Sequence, residues 1–293
     1  MIYDYLIVGG GSAGAALAGR LSENPAKQIA LLEAGPDTPP DNVPDVISDS
    51  YPGLSYFDPN FHWSKLRVYA RNPRSNSETI PPTRLEQAKV MGGGSSINGQ
   101  FAVRGLPVDY DEWEQMGIAG WNWESMLPYF KKLERDLDFS GPLHGKTGPM
   151  PIRRVFPNHW GGFTKSVLDV AKKDFPYQED YNASFDEGSF PLPLTNENDH
   201  RVSTALGYLT KEVRARKNLH IFAETQVESL EIEGTRITGV CAHTEDRPSE
   251  IWRAREVIIS CGALHTPPIL LRAGIGPAAD LRAPGIPVVA NLP

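Results

Sequence analysis

An α/β fold is what this sequence predicts: a parallel sheet interrupted by a small antiparallel meander, with part of a further domain attached. Three observations carry that expectation. Residues 3–8 form a short apolar run that glycines break at once, and a small-residue helical stretch follows. Residues 220–222, 226–232, 237–243 and 251–253 alternate as strands do, with a Glu233-Gly234 turn joining two of them. Residues 256–261 then run into Gly262-Ala263 and a second helical stretch, which repeats the opening pattern.

The opening stretch is Tyr3-Asp4-Tyr5-Leu6-Ile7-Val8-Gly9-Gly10-Gly11-Ser12-Ala13-Gly14. Gly9, Gly11 and Gly14 fit G-x-G-x-x-G between a strand and a helix that Ser12 is placed to cap. These glycines supply a tight turn, close backbone approach to a pyrophosphate, and close packing of helix on strand. The helix start adds free amides and the positive dipole end, the latter worth about 0.3–2 kcal/mol. Residues 28–32 read as the second strand and end in Glu33, an acid positioned for ribose hydroxyls. Together these features predict a dinucleotide site, with NAD and FAD both open at this point.

Composition narrows the function classes. The chain has 293 residues, 40% of them hydrophobic, and a net charge of −7, which disfavours nucleic acid as a partner. No basic amphipathic stretch points to a membrane surface, and no apolar run is long enough to span a bilayer. Cys241 and Cys261 form no disulfide framework and fit a reducing, cytoplasmic compartment. Asn182-Ala183-Ser184 matches a glycosylation sequon, which without a secretory signal reads as chance. His62, His144, His159, His200, His220, His243 and His265 show no metal-ligand spacing, so no metal site is expected.

After Glu33 an NAD-dependent dehydrogenase would continue its βαβ pattern, and this chain does not. Residues 36–82 are rich in Pro, Asp, Asn and Ser, with Tyr51, Tyr56, Phe57, Phe61, Trp63 and Tyr69 interspersed. The aromatics predict a long excursion packed on the body of the fold, near a substrate entrance. The next informative stretch is Ala88-Lys89-Val90-Met91-Gly92-Gly93-Gly94-Ser95-Ser96-Ile97-Asn98-Gly99-Gln100-Phe101-Ala102-Val103-Arg104-Gly105. Three glycines and two hydroxyls form a surface on which a flat ring or a phosphate can approach the main chain.

On these residues the sequence resembles the glucose–methanol–choline oxidoreductase family, flavoenzymes that bind FAD and oxidise alcohols. Its first signature maps onto Gly92-Gly93, Gly94-Ser95, Ile97, Asn98, Ala102, Gly105 and Asp111, with Met91 replacing the usual Leu, Ile, Val or Trp. The second maps onto residues 262–276, with Ala273 where a Ser is usual. Members with covalent flavin carry a His where this chain has Ile97, so the resemblance implies non-covalent FAD. It places the cofactor against Gly9, Gly11, Ser12, Ala13, Gly14, Glu33 and Ala34. Further contacts are Met91, Gly92, Gly93, Gly94, Ser95, Asn98, Gly99, Ala102 and Val103, then Val227, Cys261, Gly262 and Ala263.

The implied fold is an FAD-binding, Rossmann-like sheet of the glutathione-reductase type. Residues 1–155 and 200–293 would form its two segments, and residues 156–199 part of a substrate domain. Within these, residues 150–153 read as a strand, 163–173 and 205–213 as helices, and 286–293 as a strand-like run. Trp113, Trp121 and Phe130 read as core.

The implied chemistry is oxidation of a primary alcohol to an aldehyde, with oxygen or a quinone-type acceptor reoxidising the flavin. An aromatic or furan-type alcohol is expected from the aromatic excursion. Alcohols are about as acidic as water, pKa ~15.7, so deprotonation at neutrality costs about 12 kcal/mol and needs a positioned base. The family's His pair, or His with Asn, lies beyond residue 293, leaving the catalytic half absent from this chain. His62 and His265 are the candidates within it, each better read as packing or surface residues. A cyanohydrin lyase using FAD structurally, and a non-catalytic dinucleotide-binding module, are the alternatives.

Overall fold

A computed structural model describes residues 1–69 and 81–292. Ile2–Val8 (β1) and Ile29–Leu32 (β2) are apolar throughout and pair in parallel, Tyr5 opposite Ile29 through Val8 opposite Leu32. Strands buried on both faces require such unbroken apolar runs. Between them Ser12–Leu21 forms α1, whose small residues Gly14, Ala15, Ala18 and Gly19 are its buried face. Gly11, with extended dihedrals, is the N-cap, and Ser12 is the first helical residue instead of the expected cap. The turn is so tight that the helix begins one residue early.

Leu219–Phe222 (β3), Gln226–Glu233 (β4), Arg236–Thr244 (β5) and Arg247–Ile259 (β6) complete a six-stranded sheet of order β3-β2-β1-β6-β5-β4. Two sequence expectations need correction here. Residues 220–222 belong to no meander: β3 pairs in parallel with β2, Leu219 opposite Ile29. Residues 251–253 and 256–261 are also not separate strands, since no Gly or Pro interrupts the chain between them. One strand, β6, pairs antiparallel with β5 in its first half and parallel with β1 in its second. The meander and the central sheet are therefore continuous through a single strand. Gly262–Arg272 (α2) follows it.

Alternation from Tyr5 to Val8 feeds two cores. Tyr3, Leu6 and Val8 join Val227, Leu230 and Val240 on one face, while Ile7 meets Ala15, Ala18 and Met91 on the other. The expected amphipathic run 205–213 is two short helices, Thr204–Tyr208 and Lys211–Arg214. Leu209 leaves helical dihedrals, and the Thr210 side chain caps the second helix by accepting the Val213 amide. Of the strand-like run 286–293 only Ala290–Asn291 pairs, with Ile275–Gly276; Pro293 lies outside the described residues. The excursion holds short helices, Asp45–Ser48 and Pro52–Phe57, and a 3-10 turn, Pro59–Phe61. Its residues 70–80 lie outside the described residues.

The chain divides into two compact units. One holds Met1–Ile47, Tyr51–Ile97 and Ser203–Pro293, and the other Ser48–Ser50 with Asn98–Val202. The second unit is thus wider than the 156–199 stretch marked out by sequence. It contains Pro107–Gln115, Trp123–Leu133 and Gly162–Ala171 as helices and Met150–Arg154 as a strand. Trp113 and Trp121, expected in a core, are 41% and 45% exposed. Their rings lie 5.9 Å apart, tilted by 53°, and Trp113 and the partly buried Phe130 each pack edge-on against Tyr110. Among the described residues no helix is long and apolar enough to cross a membrane.

Candidate functional site

The strand–turn–helix at the start of the chain is locked from three sides. Gly9 holds φ +98°, a conformation open to glycine, and a Cβ there would meet the Ser260 carbonyl at 2.7 Å. A Cβ on Gly14 would collide with the Gly9 carbonyl oxygen. No side chain caps α1, so the amides of its first turn stay free for an anion. Glu33, at the end of β2, is buried and accepts the Gly10 amide at 2.7 Å and the Gly35 amide at 2.9 Å. Burial pushes its pKa up, while those two amides and Lys89 pull the other way.

The second glycine run docks onto the first. Gly92, at φ +86°, donates its amide to the Gly10 carbonyl at 2.7 Å. A Cβ on Gly93 would sit 2.7 Å from Gly11 Cα. The Ser95 hydroxyl donates to the Gly92 carbonyl, and the buried Ser96 hydroxyl to the Met91 carbonyl, which fixes the turn from within.

These segments enclose a cavity of about 770 Å³ within the first unit. Of the residues expected to touch a cofactor, Gly9, Gly11, Ser12, Ala13, Glu33, Ala34, Gly93, Gly94, Val227, Cys261 and Gly262 line it. Gly14, Met91, Gly92 and Ser95 stand behind that lining, and Ala263 lies in the first turn of α2. Asn98, Gly99, Ala102 and Val103 belong to the second unit, where the Asn98 side chain accepts the Gln100 amide and the Arg201 guanidinium.

Sequence reasoning missed part of the wall. Trp63 and His265 both line the cavity, their rings 4.7 Å apart, with the Lys89 ammonium 5.2 Å from the Trp63 ring. Among the described residues Trp63 is the one excursion aromatic that reaches the cavity lining; only its place among other aromatics hinted at this. Burial and Arg272 hold the His265 pKa down, so its imidazole is neutral at pH 7. Among the described residues no carboxylate pairs with it. His62 is buried beside Tyr56, outside the lining, and its ring nitrogens make no hydrogen bond among the described residues. Cys261 is no nucleophile either: burial, with Glu33 nearby, pushes its thiol up to about 11.

A second polar cluster lies wholly in the other unit. Ligand-type atoms of Glu134, Asp136 and His144 come within 4.8 Å of one another. His144 Nδ1 is 3.0 Å from Asp136 and Nε2 is 2.7 Å from Asp180, so both ring nitrogens face carboxylates. The contacts with Asp136, Asp180 and Glu134 raise its pKa to about 10 against the effect of burial. Burial alone would raise the three carboxyl pKa values, but contacts with His144 and the arginines hold all three low. Arg104 and Arg154 set further positive charge against these carboxylates. The cluster is an ion network.

Comparison with known proteins gives a consistent result. A family model described as GMC oxidoreductase matches residues 3–293. The chain is 46% identical to 5-(hydroxymethyl)furfural oxidase of Methylovorus sp. (strain MP688), over 100% of this chain and 55% of that protein. It is 34% identical to the mitochondrial choline dehydrogenase of Homo sapiens, over 99% of this chain and 48% of that one. An FAD-dependent oxidoreductase from Chaetomium thermophilum superposes with a TM-score of 0.87 at 30% identity, covering 99% of this chain and 51% of the other. The chain spans about half the length of the relatives it matches.

Proposed function

The chain belongs to the GMC oxidoreductase family, and we propose that it is the FAD-binding part of an enzyme that oxidises a primary alcohol to an aldehyde. One observation carries the reading: two glycine turns, at residues 9–14 and 92–94, close on one cavity that a dinucleotide can enter. FAD is the cofactor these residues fit. The free amides of α1 face a pyrophosphate, and glycines leave room where a Cβ would block approach. Glu33 spends one lone pair of each oxygen on Gly10 and Gly35 and keeps others for ribose hydroxyls.

When bound, FAD supplies the hydride acceptor. The protein's part is to hold it and to shape its surroundings. Gly9, Gly11, Ser12, Ala13, Gly14, Glu33 and Ala34 would hold the ADP half, with Val227 toward the adenine. Residues 91–95 and 261–263 would form the opposite wall. Binding is non-covalent, because Ile97 is packed among Ile47, Phe61 and Val90 and offers no nucleophile. Neutral His265, tilted against Trp63 and without an orienting acid among the described residues, serves packing. The catalytic base belongs to the part of the relatives' length that this chain does not span.

The substrate is an aromatic or furan-type primary alcohol, a reading supported by the 46% identity to a 5-(hydroxymethyl)furfural oxidase. Oxygen or a quinone-type compound takes the electrons, and the free thiols of Cys241 and Cys261 suit a cytoplasmic location. The test is anaerobic mixing of the FAD-loaded protein, extended to the length of its relatives, with such an alcohol. Bleaching of the flavin band together with aldehyde formation is expected. A flavin that stays oxidised while the compound is turned over would identify a lyase instead.

A further inference from the structure

The second unit buries very little apolar surface. Among the described residues the apolar core clusters all lie in the first unit, and Tyr110, Met150 and Ile152 are the only apolar side chains buried in the second. A unit of roughly a hundred residues ordinarily has its own core and buries about 60–70% of the surface its unfolded chain exposes. The helices of the second unit show the same deficit. Neither Trp123–Leu133 nor Gly162–Ala171 contains a buried residue.

The helix Gly162–Ala171 shows what is missing. Phe163, Val167 and Val170, spaced i, i+4 and i+7, share one face and are 84%, 50% and 64% exposed. Leu168 and Ala171 lie on the adjoining face and are half-buried. Lys165, Asp169 and Lys172 occupy the opposite face, with Asp169 and Lys172 paired at 2.7 Å, so the solvent side is already taken by charge. The apolar stripe is therefore wider than the unit covers. A helix this short is marginal in water unless its apolar face is packed, so the bare part of the stripe requires a partner.

The chain spans about half the length of the relatives above, so about as much polypeptide again goes with this segment in them. Polypeptide of the same chain covers the face without the loss of translational and rotational freedom that a second copy would incur.

We propose that the Phe163–Val167–Val170 face is the docking surface for further polypeptide of the same enzyme, whose apolar side chains complete the core of the second unit. This rests on the reading above that the chain is part of a longer enzyme. The docking segment is apolar where it meets these three side chains, and it leaves Lys165 and Lys172 in water.

The test is thiol labelling of the protein extended to the length of its relatives, with Val167→Cys on the apolar face and Lys165→Cys on the charged face as the control. Peptide mass separates labelling at these positions from that at Cys241 and Cys261. In the extended protein position 167 is expected to react at least tenfold more slowly than position 165, and in the 293-residue chain at a similar rate. Where Val167→Cys disturbs folding, Val170→Cys gives the same reading. Equal rates in the extended protein would overturn the proposal. Protection already present in the 293-residue chain, rising with protein concentration alongside a dimeric mass, would overturn it in favour of a second copy. Protection that appears only with anionic lipid vesicles would overturn it in favour of a membrane surface. A slow position 167 in an extended protein that oxidises no alcohol would leave the docking intact and sink the proposed function alone.

Discussion

The Gly92 amide donates to the Gly10 carbonyl at 2.7 Å, so two glycine turns far apart in the chain share one hydrogen bond. The contact leaves no space for side chains: a Cβ on Gly93, at φ +54°, would press on Gly11 Cα. Gly93→Ala therefore combines backbone strain of about 1–2 kcal/mol with overpacking of about 1–3 kcal/mol. A drop in FAD affinity of at least tenfold, measured by fluorescence titration, is the expected outcome. Wild-type affinity would show that the turns separate freely.

Glu33 is expected to matter for both ligand and fold. Its folded pKa lies above the unfolded value, so the group's stabilising contribution is complete below the unfolded value and is lost as pH rises through the raised one. Glu33→Gln removes that buried acid but turns a carboxamide NH2 toward one of the two backbone amides, of Gly10 or Gly35, that the carboxylate accepts, so the ligand-free chain is expected to lose about 1–3 kcal/mol. The same change removes charge-assisted hydrogen bonds worth about 1.5–3 kcal/mol, so FAD affinity falls tenfold or more. Chemical denaturation and titration on one preparation read both effects.

His144 gives the opposite limb of a pH profile. Its pKa is raised to about 10, so its contribution is fully present below 6.5 and lost as pH rises through about 10. His144→Gln is expected to cost about 3–5 kcal/mol at pH 7, as removal of one member of a buried ion network does. The gap between wild type and variant should shrink roughly linearly as pH climbs from about 6.5 toward about 10 and level off above it. Urea melts across that range supply the check.

Asn182 carries a glycosylation sequon that its structure makes unusable. The side chain is buried, with Nδ2 committed to the Ala102 carbonyl. Chain expressed through a glycosylating secretory pathway and recovered folded is expected to show no glycan at Asn182 in its intact mass.

Much of this was legible in the residues themselves. β1, the glycine turn, α1 and the acid at Glu33 follow from an apolar run, three spaced glycines and a small-residue helix, because each needs only local chemistry. The sequence reading erred where pairing partners decide. Residues 219–222 alternate like meander strands, yet β2 offered them a parallel edge. Nothing in the residues 251–259 signals that one strand serves two neighbours of opposite direction. Trp63 was indistinguishable from Tyr56 or Phe57 until the fold brought it against His265. His144, dismissed for lack of metal spacing, gathers three carboxylates from separate positions in the chain. Spacing along a chain cannot report such convergence.

The most direct test of the whole account is titration of this chain with FAD by calorimetry, with NADH as the competitor. One FAD per chain, undisturbed by NADH and abolished by Gly14→Ala, is the predicted result. No FAD uptake by a folded chain, or displacement by NADH, would contradict it.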